Sequence, residues 1–323
     1  MNSTTSEMEN RNLPKANHVT TAQARRLGFS VRILGQPDLA PLGDPPSGPF
    51  AGGASLMRLR DILGYCERQH IRMYRLHSNM APQAASEQAL AALWCTYAHE
   101  AALLADRVQA LDMRLSFHPY SSVSLACPDE ARLTGMISEL AAQAAFLDAL
   151  ATSPESVIVL HVGGSYDDKP AALARFSEQY SNLPEAIRRR VVLEHDDRLF
   201  SVADVLEVSR QCGVPLVFDW QHHLVLNPTL IPWQEAIARC VASWPAGVTP
   251  KIHFSSPRTE MSRHGDHIKA PSWTEHADFI QPFELIGMLR ETAEQPYDVM
   301  LEAKARDLAL KKLREDLTRY APD

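Results

Sequence analysis

The sequence predicts a (β/α)8 barrel. Eight short apolar runs alternate with helix-length amphipathic segments, and the runs are apolar throughout, not every second residue. Six of them end on a histidine or a carboxylate. Continuous apolar runs rich in β-branched residues suit parallel strands buried on both faces. Eight such strands, each followed by a helix, describe a closed barrel better than an open doubly wound sheet. The 323 residues suit a barrel of about 250 residues with insertions.

Taken in order, residues 1–22 are polar and aperiodic and read as a flexible tail ahead of one catalytic barrel over 23–323. RLGFSV (26–31) is the first strand. GQPDLAPLGDPPSGPFAGG (35–53) is too rich in Gly and Pro for a regular element. A helix is predicted over 55–69, where Leu56, Leu59, Ile62 and Leu63 share one face. Strand 71–76 precedes the Ala/Leu-rich stretch 86–110, strand 114–118 precedes 128–150, and strand 156–161 precedes 170–189. Strand 190–194 precedes helix 201–212, opened by Ser201 as N-cap. Runs 215–219, 249–253 and 297–302 complete the set, and ARDLALKKLREDLTRY forms a last amphipathic helix.

Composition excludes several classes. No apolar run reaches the ~18 residues needed to cross a bilayer, and MNSTTSEMENRN lacks the parts of a signal peptide, so the chain reads as soluble and cytoplasmic. Cys66, Cys95, Cys127, Cys212 and Cys240 are scattered, with no CxxC pair, which argues against a disulfide framework or a thiolate zinc site. No GxGxxG or Walker A motif appears. The net charge of −7 argues against a protein that grips phosphates by bulk charge alone. It leaves room for a DNA enzyme whose bound cations and basic rim supply positive potential.

The strand ends carry the chemistry: His118, His161, Glu194, Asp219, His253 and Glu302. Barrel active sites form at the carboxyl ends of the strands, so these residues converge. Burying so many carboxylates and imidazoles without partners is costly, and metal ions are the usual compensation. In DWQHH, Asp219 and one adjacent histidine reach the same region, and His223 is expected beside the site or at the surface. A later loop offers His264, His267 and His276, among which spacing does not choose. Imidazole and carboxylate without thiolate suit zinc, manganese or iron, and Glu194 is placed to bridge two ions. Such a site suits phosphodiester hydrolysis.

At LHVGGSYDDK, VVLEHDDR, FDWQHH, PKIHFSSP, HADFI and DVMLEAK the chain resembles the UV damage endonucleases, relatives of endonuclease IV in the xylose-isomerase-like barrel superfamily. The resemblance runs from Arg26 to Lys304. It implies a metal site of His118, His161, Glu194, Asp219, His222, His253, His276 and Glu302, which prefers His276 to His264 and His267, and His222 to His223. It also implies a carboxylated Lys251 beside the metals and catalytic roles for Glu194, Lys251 and Glu302. The cofactors implied are two or three divalent ions, manganese first and zinc second. The substrate implied is damaged double-stranded DNA, cut 5′ to the lesion to leave a 3′-hydroxyl. No protein partner is assigned.

The chain departs from that family where damage is read. After its HP motif the family has Gln and then Tyr or Phe, whereas this chain has Ser121 and Ser122, with Tyr120 one position earlier. Phe29 stands where the early strand carries a tyrosine. Phe29, Tyr120, Ser121, Ser122 and Arg258 are the expected substrate contacts, and Lys169, Arg198 and Arg263 are further loop cations within reach of phosphates. Two other readings keep the metals: a sugar or sugar-phosphate isomerase on the same barrel, and a non-catalytic metal-binding barrel protein.

Overall fold

The structure, a computed structural model, describes residues 25–39, 43, 44, 48 and 50–321. The tail expected at 1–22 lies outside them. The strands are β1 (Leu27–Ser30), β2 (Met73–Arg75), β3 (Arg114–Ser116), β4 (Ile158–His161), β5 (Val191–Glu194), β6 (Leu216–Val217), β7 (Lys251–Phe254), the short pair β8 (Ser262–His264) and β9 (His267–Lys269), and β10 (Asp298–Leu301). Every expected run is present as a strand. The helices are α1 (Ala51–Arg68), α2 (Glu87–Thr96), α3 (Ala98–Ala110), α4 (Glu130–Ala149), α5 (Lys169–Asn182), α6 (Glu185–Arg188), α7 (Val202–Cys212), α8 (Trp220–Val225), α9 (Trp233–Ala242), α10 (Pro282–Glu291) and α11 (Arg306–Tyr320).

This is a mixed α/β fold built on parallel sheets. One sheet runs β3-β2-β1-β10-β7 and a second runs β4-β5-β6. Single parallel bridges join their edges, Phe117 with Ile158 and Asp219 with His253. Apolar residues on both faces of the strands are covered: Val159, Leu160, Val192, Leu193, Val299 and Met300 are all buried. Register then levels the chemistry. His161 pairs with Glu194, and His253 with Met300. The Glu302 amide donates to the Phe254 carbonyl at 3.0 Å. The functional side chains thus leave the sheets at one height.

The opposite end of the strands is closed by paired charge. Arg114, fully buried, donates to Asp298 Oδ2 at 2.8 Å and to the Pro250 carbonyl at 3.1 Å. Arg26 binds Asp298, Glu155 and Asp112. Buried charges persist when each has such partners.

Helix boundaries depart from expectation where packing overrides propensity. Helix α1 begins at Ala51, inside the Gly-rich stretch. A Cβ on Gly52 would lie 2.5 Å from Tyr97 Cδ2, so this glycine admits the Tyr97 ring and does not make a turn. At the same tyrosine the 86–110 stretch divides into α2 and α3. Pro184 divides 170–189 into α5 and α6. Helix α7 is capped as expected, with the Ser201 amide and hydroxyl both donating to Asp204 at 2.7 Å. No helix among the described residues is long and apolar enough to cross a membrane.

Candidate metal centre

The strand ends converge on Glu194. It closes β5, is 1 % exposed, and gathers imidazoles from four other segments. His118, just past β3, brings Nε2 to 3.0 Å from Glu194 Oε2, and His161, the last residue of β4, brings Nε2 to 3.6 Å from the same oxygen. His253 on β7 and His222 on α8 approach Oε1 with Nδ1 at 2.8 and 3.5 Å. Glu302, one residue beyond β10, lies 3.3 Å from His253 Nδ1 and 3.8 Å from His276 Nδ1.

Local structure explains each placement. Asp219 is the N-cap of α8, where Oδ1 accepts from the His222 amide at 2.8 Å, so the helix starts immediately after β6 and turns His222 back over the strand ends. The His222 Nδ1 then meets the His195 carbonyl at 2.9 Å, and His276 Nδ1 meets the Glu302 carbonyl at 2.7 Å. Such outer contacts set ring orientation and tautomer at metal sites.

Among the described residues three donor groups arise: His118, His253 and Glu302; His118, His161 and Glu194; and Glu194, Asp219 and His222. Within each, the donor atoms lie within 4.8 Å of one another, and the second group shares His118 with the first and Glu194 with the third. The set fits divalent cations. His118 Nδ1, Glu194 Oε2, Asp219 Oδ2 and His253 Nε2 are buried without a hydrogen-bond partner, an arrangement that costs free energy unless something else satisfies them. Oxygen and imidazole donors without sulfur are the chemistry of zinc, manganese and iron.

The electrostatics agree. Burial, reinforced by Glu302 and Asp219, pushes Glu194 well above the usual carboxylate range. Burial alone would raise Glu302 too, but Arg75 and the nearby imidazoles hold it well below that range. Burial lowers His118 and His253 far below the ordinary imidazole value, so both stay neutral, the form that binds metal. Lys251 is 0 % exposed and its Nζ has no hydrogen-bond partner; burial, with Arg114 and Arg75 nearby, takes it well below the ordinary lysine value.

All eight expected ligands therefore sit in this cluster or at its edge. His267 is exposed and does not join it; its backbone pairs with that of His264 across the turn between β8 and β9. His223 is buried, not superficial: its Nε2 meets the Ile231 carbonyl at 3.0 Å and its ring packs on Phe218. One expected substrate contact is corrected. Phe29 is 0 % exposed and packs edge-on against Tyr74, because its β1 position faces the core, so it offers no stacking face. Tyr120 is 65 % exposed with its ring edge-on to His77, and Ser121 and Ser122 are exposed beside it. Arg258 leans toward Glu275 at 3.8 Å and Lys169 binds Asp204 at 2.8 Å, whereas Arg198 and Arg263 are exposed.

Two residues escaped the sequence reading. Arg75, the last residue of β2, is buried and donates to Glu302 Oε1 in a close contact. An arginine inside an apolar strand was the available signal. His195, directly after Glu194, accepts from the Asp219 amide through Nε2 at 3.0 Å, tying β5 to the α8 cap. Its ring packs edge-on against His222 and beside Phe218.

Known proteins bear on this site. The family UV-endonuclease UvdE matches residues 52–322. The UV DNA damage endonuclease of Bacillus velezensis is 31% identical over 269 residues, covering 82% of this chain and 81% of that one. Its counterpart in Bacillus mycoides is 31% identical over 263 residues, 78% and 77% of the two chains. The crystal structure of SacUVDE superposes with a TM-score of 0.74 at 26% identity, over 91% of this chain and 98% of the other. D-psicose 3-epimerase from Clostridium cellulolyticum shares the fold, with a TM-score of 0.51 at 13% identity over 80% of this chain and 93% of its own. With its sequence matched from Gly52 through α11, and its fold shared with SacUVDE, this chain belongs to the UV-endonuclease UvdE family.

Proposed function

We propose that this chain is a metal-dependent DNA repair endonuclease that hydrolyses the phosphodiester 5′ to a lesion in double-stranded DNA. The observation that carries the reading is the pair of shared donors, His118 and Glu194, which link three candidate metal groups into one centre. His118, His161, Glu194, Asp219, His222, His253, His276 and Glu302 would hold two or three divalent ions, manganese before zinc. Bound there, such ions supply a water of lowered pKa and charge stabilisation for the departing 3′ oxygen.

The chain's own groups prepare that chemistry. Glu194, which belongs to two of the donor groups, and Glu302, which belongs to one, would both hold the ions. Lys251, carboxylated, would present an anion where the structure has an amine nitrogen without a hydrogen-bond partner. His195 fixes Asp219, and the buried walls exclude bulk water from the donors. Exposed loop cations such as Arg198 and Arg263 meet backbone phosphates.

The same reading takes residues 23–323 as one catalytic unit acting in the cytoplasm. It takes the eight strands as a closed barrel, supported by the Phe117–Ile158 and Asp219–His253 bridges. The test is nicking of UV-irradiated duplex by manganese-loaded protein, with abasic and undamaged duplexes alongside. Cleavage at lesions is expected, and Glu194→Gln should lower it by at least about 1000-fold while circular dichroism stays unchanged. Loaded protein that leaves all three duplexes intact would refute the endonuclease reading.

A further inference from the structure

Between β7 and α10 the chain leaves the strand ends as an arm. The antiparallel bridge of Pro257 with His276 closes its root, where the Arg258 amide donates to the Glu275 carbonyl at 2.7 Å. The root is also fixed from beneath. Gln221 on α8, fully buried, accepts from Ser255 Oγ at 2.7 Å and donates through Nε2 to the Trp273 carbonyl at 2.8 Å. Gln221 directly precedes His222, so the Trp273 backbone is pinned beside the metal donors.

The ring on that pinned backbone is 70 % exposed. Met261 and Ile268 on the same arm are also exposed. A large aromatic held in water on an anchored backbone loses the burial that normally offsets its apolar area, and it has already given up much of the entropy that binding would cost. Charge does not explain the arm. Arg258, Arg263 and Lys269 are balanced by Glu260, Asp266 and Glu275, and Lys269 reaches Glu275 at 3.2 Å. The loop after His118 presents one exposed ring, Tyr120, followed by two serines.

We propose that Trp273 reads the damaged duplex by stacking on a nucleobase displaced beside the scissile phosphate, with Gln221 as the residue that positions it. This rests on the endonuclease reading of the centre. Every base has a π-face, so a pinned indole tolerates varied lesions, and stacking by an uncharged ring neutralises no phosphate and so adds little to the salt dependence.

The experiment compares wild type, Trp273→Ala and Trp273→Phe, manganese-loaded, on irradiated duplex. Trp273→Ala should lower kcat/KM by about 5- to 100-fold, mostly through KM, and Trp273→Phe should recover most of it. In Glu194→Gln protein, irradiated duplex should quench indole fluorescence, and that quench should vanish when Trp273→Phe is added. Wild-type nicking with Trp273→Ala indistinguishable from it overturns the stacking role and leaves the endonuclease reading intact. Absence of nicking by wild type overturns the endonuclease reading itself. A dimer in sedimentation that Trp273→Ala converts to monomer names a second copy as the occupant and overturns the proposal.

Discussion

Glu194 shows how one side chain gathers a site. Its two oxygens lie among four imidazoles, and no lysine or arginine makes an ion pair with it among the described residues. Glu302 differs because Arg75 takes one of its oxygens. That pairing holds Glu302 ionised and limits where its other oxygen points, the role outer partners play around metal ligands. Arg75→Ala should therefore weaken manganese affinity by about 10- to 100-fold in calorimetric titration. It should also cost the metal-free fold about 3–5 kcal/mol, since it strands a buried carboxylate. Arg75→Lys should restore part of both. Unchanged affinity in the alanine variant would show that Glu302 needs no such partner.

At the scale of elements, the site depends on how strands hand over to loops. β4 ends at His161, and the next turn runs through Gly163 at φ +98°, where a Cβ would fall 2.4 Å from the Ser124 side chain. Ser124 is held there by donating to the Val162 carbonyl at 2.6 Å, so neither side yields easily. Gly213, at the end of α7 with φ +75°, has nothing within 4 Å of its own missing Cβ. Both positions favour glycine, but only Gly163 adds a collision. Gly213→Ala should cost about 1 kcal/mol of stability, and Gly163→Ala distinctly more, with a loss of metal affinity as His161 shifts. Urea melts of the two variants measure the order, and a larger cost at Gly213 would contradict this account.

For the whole molecule, the buried imidazoles make stability depend on pH. Burial, aided by neighbouring cations and imidazoles, holds His118, His195 and His253 far below the usual 6.5. As pH falls through 6.5 the unfolded chain takes up protons at these three sites that the folded protein refuses, so stability falls with pH. Each contributes up to about 1.4 kcal/mol per pH unit. Glu194 works in the opposite sense, because burial beside Glu302 and Asp219 keeps it protonated in the folded state while the unfolded chain has released the proton. His222, raised by Asp219 and Glu302 against its burial, adds a second gain, but burial also lowers His77, His161 and His223, so the losses outnumber the gains and stability falls. Chelated protein should therefore melt at lower temperature at pH 5.5 than at pH 7, and loaded protein should fall more steeply because protons also compete with the metal. A melting temperature flat across this interval would show that the imidazoles are not held neutral.

The alternation of apolar runs and amphipathic segments placed all eight strands, and the polar residue closing six of them marked the site, because strand period and burial are local properties. Ligand choice in the later loop was less legible. Spacing treated His264, His267 and His276 alike; the resemblance chose His276, and the Pro257–His276 bridge puts it at the arm's root beside Glu302. The sequence by itself thus determined which residues stand at strand ends and that their chemistry suits metal. Tertiary structure alone decided that Phe29 is core, that Arg75 pairs with Glu302, and that Gln221 pins Trp273 beside His222. Those facts depend on contacts between residues 45 to 227 positions apart, and such proximity exists only once the parallel strands are in register.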